Sequence, residues 1–376
     1  MLVGRAAAAV VARGDDQAHD RNEQWAKEAE PTGQLAGSGD SIGVHVGGTP
    51  GIPKPDASRR SPEHNPRRDD EHRAPDRIAD LGRRRATAAT AVTAIDGLVV
   101  AVAQVGPSIG DVAANLALAR RYLRRAAARG AHLVIFPECF LQSYALRRAV
   151  LELAEPLDGP AVTALAAMAA EKSIAVVAGL IETNGADPGK PFNSAVVIDR
   201  AGQIVGAYRK AHLFDREFDA FTPGDAYPVF EVAVGADRAP VRLGVCICAD
   251  IEFPEVARLL AIGGAQLIAV ASADMEPYRV QQAANLMSRS IENNVPVALA
   301  NTVDHRPAVT FFGGSGIATP DGRLIAAGYG RPRLVTATLT DAAITASGGA
   351  GSSLRDRRID TYGRLLEPRT GQPGVR

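Results

Sequence analysis

Three side chains in this 376-residue chain stand at the ends of apolar runs and could do covalent chemistry together. Cys248 ends RLGVCIC, Glu138 ends HLVIFPE, and Lys210 ends GQIVGAYRK. A thiol at a strand's C-terminal end lies on the edge where open α/β sheets bind ligands. Backbone N–H groups of the turn and of a following helix can lower its pKa and hold an oxyanion. Such a nucleophile also needs a base and a group that holds developing negative charge. Histidine is the usual base, but only His132, His212 and His305 lie beyond residue 95, and spacing ties none of them to Cys248. A carboxylate paired with a lysine is the other supply. The remaining lysines beyond residue 95 read as solvated charges, Lys172 at a helix–loop corner and Lys190 in a Gly/Pro loop. Cys246 shares the strand face of Cys248 but lies deeper, and reads as a small buried hydrophobe.

The elements that must carry these groups begin near residue 96. LVVAVAQV, HLVIFPE, IAVVAGLIET, RLGVCIC, AQLIAVASA and VPVALAN are buried-strand runs. DVAANLALARRYLRRAAARG, GPAVTALAAMAAEKS, FPEVARLLAIGG and RVQQAANLMSRSIENN read as helices, the first ending at Gly130, a helix stop. NSAVVID and GQIVGAYRK are strands joined at Arg200-Ala201-Gly202, and SGIATPDGRLIAAG is a hairpin with Pro-Asp-Gly turn chemistry. Apolar strands alternating with helices predict an α/β core with both sheet faces covered. One catalytic domain over 96–376 follows.

Residues 1–95 differ. Trp25 is the one aromatic there, and Pro50 to Arg85 is dense in Pro, Arg, Asp and Glu. Such a segment cannot bury enough apolar area to offset its ordering entropy, so it is expected to be disordered, as a tail or as translation upstream of the true start. Its first residues, MLVGRAAAAVVARGDD, are barely long enough for a secretory signal. GDSIG at 39–43 fits the serine-hydrolase G-x-S-x-G pattern, but lacks the strand before and the helix after that a nucleophile elbow requires. The formal net charge is zero, which gives no pull toward nucleic acid or an anionic membrane. No apolar run reaches the ~20 residues of a membrane span. Three cysteines point to a reduced, cytoplasmic setting rather than a disulfide framework. Cys246, Cys248 and Asp250 lack the second Cys/His pair that a structural zinc site needs, so no metal is expected.

FPECFLQSY, YRKAHLFDREFDAFTPGD and GVCICADIEFPE resemble, in order and spacing, the three signature blocks of the nitrilase superfamily, the carbon–nitrogen hydrolases. VAVAQVGPSIGDVAANL and DRRIDTYGRL are similar to its opening and closing segments, so the resemblance spans about 97 to 366. It implies an αββα sandwich, a homodimer or higher homo-oligomer, and no cofactor or metal. It implies that Cys248 is the nucleophile, Glu138 the general base, and Lys210 the stabiliser of the tetrahedral intermediate, with the Ala249 N–H as a second oxyanion donor. Glu217 matches the family's second glutamate, which positions the lysine and substrate.

Two positions depart from the commoner pattern. Ala249-Asp250 stands where nitrilases typically carry Trp-Glu, which leans toward an amidase. Glu252 stands where many members carry Arg. DIEFPE, SADMEPY and ALANTVD are similar to the branch acting on aliphatic and ω-amino amides, such as 5-aminopentanamide. Asp274, Glu276, Asn301 and Asp304 follow or end strand runs there and could face the site. With Glu252 the three carboxylates among them would form an acidic rim suited to an amino-bearing amide. Glu252 and Glu276 could equally serve helix N-termini through the dipole. Tyr144 is a pocket wall or a core residue. The expected substrate is a small aliphatic or ω-amino amide. An N-carbamoyl amine is the alternative within the enzyme class, and a catalytically silent binding protein the alternative outside it.

Overall fold

The computed structural model describes residues 95–341, 354 and 356–366. All fall within the compact unit Thr90–Arg376. The expectations for residues 1–94, GDSIG included, lie outside the described residues.

Fourteen strands are described: β1 (Leu98–Gln104), β2 (Leu133–Ile135), β3 (Ala175–Glu182), β4 (Phe192–Ile198), β5 (Ile204–Arg209), β6 (Val229–Val232), β7 (Val241–Ile247), β8 (Leu267–Ser272), β9 (Val297–Asn301), β10 (Val303–Arg306), β11 (Val309–Phe312), β12 (Gly316–Ala318), β13 (Leu324–Ala326) and β14 (Arg333–Leu339). The helices are α1 (Val112–Ala127), α2 (Arg148–Leu151), α3 (Pro160–Lys172), α4 (Glu217–Ala220), α5 (Pro254–Ile262) and α6 (Arg279–Asn293). One six-stranded sheet runs β14-β1-β2-β3-β4-β5 and the other β13-β12-β9-β8-β7-β6. β1-β2-β3 and β7-β8-β9 are parallel, so the helices between them must cross over the sheet faces.

The period-2 alternation of the strands separates the layers. Val100 and Val102 of β1 point between the sheets, into a core shared with Val245 and Ile247 of β7 and Leu267 of β8. Ala101 and Ala103 point outward, against Tyr122 and Leu123 of α1 and Leu165 of α3. Val256 and Leu260 of α5 and Leu286 of α6 join the core around the second sheet. The architecture is the expected αββα sandwich.

Local chemistry sets the element ends. The Asp111 side chain accepts from Ala114 N at 2.9 Å and starts α1. Pro160 and Pro254 occupy first-turn positions of α3 and α5. The β4–β5 turn places Gly202 at φ +80°, while Asp199 accepts from Ala201 N and Gln203 N.

Five features differ from the sequence reading. β2 stops at Ile135, so Glu138 stands in the segment after a strand and not on one. Pro137 has no N–H for the ladder, and its carbonyl instead accepts from Gly179 N at 3.1 Å. A 3-10 turn, Cys248–Glu252, separates β7 from α5. β6, the β10–β11 ribbon and β14 were not anticipated, and β14 pairs antiparallel with β1 along its whole length.

The Glu138 segment crosses β3 so closely that Gly179 has no room for a side chain. A Cβ there would lie 2.3 Å from Cys139 N and 2.4 Å from Pro137 O. Both are backbone atoms that cannot swing away. Gly179→Ala is expected to cost about 1–3 kcal/mol or more, read as a lower urea midpoint. Activity should fall with it, because the displaced backbone carries Glu138.

Candidate active site

The sandwich brings the strand-end groups together. Lys210 follows β5 and is 1% exposed, while Glu138 and Glu217 are fully buried. Lys210 Nζ donates to Glu138 Oε1 at 2.8 Å and to Glu217 Oε1 at 2.9 Å. Glu217 Oε2 accepts from Phe214 N at 2.8 Å, so the turn before α4 fixes that carboxylate. Asn193 of β4 donates its Nδ2 to Glu138 Oε1 at 2.7 Å. Both donors to Glu138 therefore converge on one oxygen. The other, Oε2, is buried and takes no hydrogen bond among the described residues.

One cation between two buried carboxylates leaves an excess negative charge that burial makes costly. The result is a Glu138 carboxyl pushed up to about 7, first by burial and further by Glu217, against the pull of Lys210. A buried ammonium alone would lose its proton readily. Here the two glutamates outweigh burial and hold Lys210 above the ordinary lysine value. The cluster thus keeps a permanent cation beside a carboxyl that exchanges a proton near neutrality.

Cys248 opens the 3-10 turn with φ +46°, a left-handed conformation uncommon for a non-glycine residue. The turn is held from several sides. Asp250 accepts from Ile247 N at 3.0 Å, Tyr208 OH at 2.7 Å and His212 N at 3.0 Å. His212 Nδ1 lies 2.9 Å from the same carboxylate, and its ring stacks on Phe253. Asp250 thereby ties the segment after Lys210 to the turn of Cys248. Arg289 of α6 donates to Ile251 O and Glu252 O, each at 2.9 Å. Cys246 is buried in the core, as its position on β7 implied.

A small chamber of about 10 Å³ adjoins the thiol, lined by Tyr144, Lys210, Cys248, Ala249, Glu252 and Asp274 among others. The Cys248 thiol donates to Asp274 Oδ1 at 3.4 Å. Burial, then the charge of Asp274, push that thiol well above the ordinary cysteine value. It rests as a neutral thiol and needs a base at the moment of attack. Burial pushes Asp274 up to about 6 and also raises Glu252.

The remaining sequence candidates are placed as follows. Asn301 does not line the chamber. It accepts from Asp274 N at 2.8 Å and donates to Asp274 O at 3.1 Å and Gly313 O at 2.7 Å, so it holds Asp274 from behind. Glu276 pairs with Arg279, and Asp304 with Arg306 at 2.7 Å, so neither joins the acidic wall. Glu252 sits in the 3-10 turn facing the chamber, not in an α-helical first turn. Tyr144 is a wall residue, edge-on to Phe311.

Sequence reasoning missed Asn193, Asp250 and Arg289. Asn193 carried a signal, an amide at the head of an otherwise apolar strand. Cys139, next to Glu138, was also passed over. Its thiol donates to Asn193 Oδ1 at 3.5 Å and fixes which way that amide faces.

Residues 99–347 match the model of the Carbon-nitrogen hydrolase family. The chain is 37% identical over 287 residues to a Pseudomonas protegens protein described as a hydrolase in the pqqF 5' region, covering 74% of this chain and 97% of that one. It is 32% identical over 265 residues to an (R)-stereoselective amidase of a Pseudomonas species, covering 70% and 92%. Among solved structures, it is similar to a mutant of the amidase from Nesterenkonia sp. AN1, with TM-score 0.63, 27% identity, and 74% and 100% of the two chains covered. That mutant carries the acetamide moiety of fluoroacetamide covalently added at its active-site cysteine. Other structures of that enzyme are described as belonging to the nitrilase superfamily. This chain belongs to the carbon–nitrogen hydrolase family and is an amidase-like hydrolase.

Proposed function

We propose that the protein hydrolyses a small aliphatic carboxamide bearing an amino group, releasing ammonia through a thioester on Cys248. The observation that carries this reading is the buried lysine shared by two glutamates beside the thiol of Cys248. Glu138, through its Oε2, takes the thiol proton as sulfur attacks the amide carbon. The tetrahedral oxyanion is held by Lys210 and the Ala249 N–H. Glu138 returns the proton to the leaving nitrogen, and ammonia departs as the thioester forms. Glu138 then takes a proton from water, which attacks the thioester, and the thiol is regenerated with the carboxylic acid. Glu217 keeps Lys210 charged and in place. The amino group of the substrate is favoured by Glu252 and Asp274 on the chamber wall.

A relative described as N-carbamoylputrescine amidase, 31% identical over 282 residues, keeps a second reading in view. A carbamoyl amine would pass through the same steps but release carbon dioxide with the ammonia. The test is ammonia and carbon dioxide release from a panel of aliphatic amides, amino-substituted amides, a carbamoyl amine and a nitrile, with Cys248→Ala beside the native chain. Ammonia without carbon dioxide, lost in the variant, supports the amidase. Carbon dioxide from the carbamoyl compound alone overturns the substrate. Turnover of none by folded protein overturns catalysis.

The pH profile follows from the same groups. A protonated Glu138 cannot accept the thiol proton, and its carboxyl titrates at about 7. For an uncharged amide, kcat/KM is expected to rise through a midpoint near that value and then level off. Because the thiol lies well above its ordinary 9.0, no second rise is expected below that pH. A bell centred on a low-pKa thiolate would contradict this assignment.

A further inference from the structure

The chamber at Cys248 opens outward. Tyr144, Phe214 and Met275 line both it and a larger vestibule of about 480 Å³. The two spaces differ in charge. Glu252 and Asp274 face the inner one, where the lone cation, Lys210, is already taken by Glu138 and Glu217. The vestibule carries Arg147, Arg216 and Arg306 against the single carboxylate of Asp215. Arg306 is bound to Asp304, Ser143 and the Tyr144 carbonyl, while Arg147 and Arg216 are exposed at the rim. Much of the remaining wall is apolar, with Ile109, Leu146 and Phe311.

From this division of charge we infer that the substrate's amino group lies one or two carbons from the scissile carbonyl, held by Asp274 and Glu252, with an apolar part of the acyl group in the vestibule. The inference rests on the amidase reading above and replaces the long ω-amino chain with a short one. Asp274 Oδ1 is 3.4 Å from the sulfur. The attacked carbon must come within about 3–3.5 Å of that sulfur, and an ammonium–carboxylate hydrogen bond spans about 2.8 Å. An amine on the first or second carbon satisfies both. A four- or five-methylene chain could set its ammonium on Asp274 or Glu252 only by folding back on itself beside the scissile carbonyl, which a short chain need not do. Run outward instead, the long chain would deliver its ammonium among the arginines, where like charge repels. Asn301 fixes the backbone of Asp274 on both sides, so the carboxylate stays where a short amine needs it.

The test uses four amides of one chain length: hexanamide, 2-aminohexanamide, 3-aminohexanamide and 6-aminohexanamide. Ammonia release by the full chain gives kcat/KM for each. The better of the 2- and 3-amino compounds is expected to exceed the 6-amino compound by about 10–100-fold, the scale of a charged hydrogen bond. Asp274→Asn should bring that ratio close to one. The pair Arg147→Glu with Arg216→Glu, at exposed positions, should raise turnover of the 6-amino compound selectively, and it decides the matter if Asp274→Asn does not fold. A native chain that prefers the 6-amino compound, or a ratio unmoved by both variants, overturns the placement. Hydrolysis of hexanamide without any amino preference would sink the placement alone and leave the amidase reading standing. Hydrolysis of none of the four would sink both.

Discussion

Cys248→Ala is expected to lower ammonia release by roughly 10⁴-fold or more while leaving the fold intact. The size follows from the chemistry, because Lys210 and Ala249 stabilise an oxyanion that cannot form without a nucleophile. The fold should survive because Cys248 is only partly buried and the turn is held by Asp250 and Arg289. Removing the sulfur also removes the hydrogen bond to Asp274. The variant should therefore show an unchanged or slightly lower thermal midpoint together with a flat ammonia trace. Cys246→Ala is the control. It sits in the core between the sheets and should cost some stability, yet keep turnover in whatever remains folded.

Lys210→Met is expected to damage both stability and rate. Among the described residues the lysine is the one cation bonded to Glu138 and Glu217, both fully buried. Without it, two carboxylates face each other away from water, and one must hold a proton. Breaking a buried pair of this kind costs about 3–5 kcal/mol, read as a lower denaturant midpoint. Loss of an oxyanion donor costs about 10²–10³ in kcat. A third readout separates the catalytic role from simple unfolding. Lys210 pulls the Glu138 carboxyl down against burial, so its removal should move the acid limb of any residual activity above 7. An acid limb that stays put in folded Lys210→Met would mean that Glu138 does not govern it.

Glu138, Lys210 and Cys248 were legible because each closes an apolar run; Glu138 and Lys210 follow strands of one sheet and Cys248 follows a strand of the other, and the sandwich brings these ends together. Glu217 came only from family resemblance, since a glutamate in a polar segment has no pattern of its own. Asn193 and Asp250 act through partners 55 and 38 residues away, so local spacing could not reveal them. Arg289 lies within a helix of ordinary amphipathic pattern, and only the packed structure shows it reaching back to the nucleophile turn. The acidic rim was half right. Asp274 and Glu252 face the chamber, whereas Glu276 and Asp304 follow strand ends too but meet arginines of their own. The β14 strand was missed although RLVTATL alternates, because it is an edge strand set after a Gly-rich turn. β2 was drawn too long because Phe136 continues its apolar run, while Pro137 ends the ladder.

The most direct test of Cys248 as the carrier of a thioester is an acid-quenched mass spectrum of the protein mixed with a turnover substrate. The expected result is a transient mass increase equal to the amide minus ammonia, mapped to the peptide bearing Cys248 and discharged by hydroxylamine. The same experiment on Cys248→Ala should show no adduct and no ammonia. Ammonia release by Cys248→Ala at the native rate, or an acyl adduct on Cys139 or Cys246 instead, would contradict the mechanism at its first covalent step.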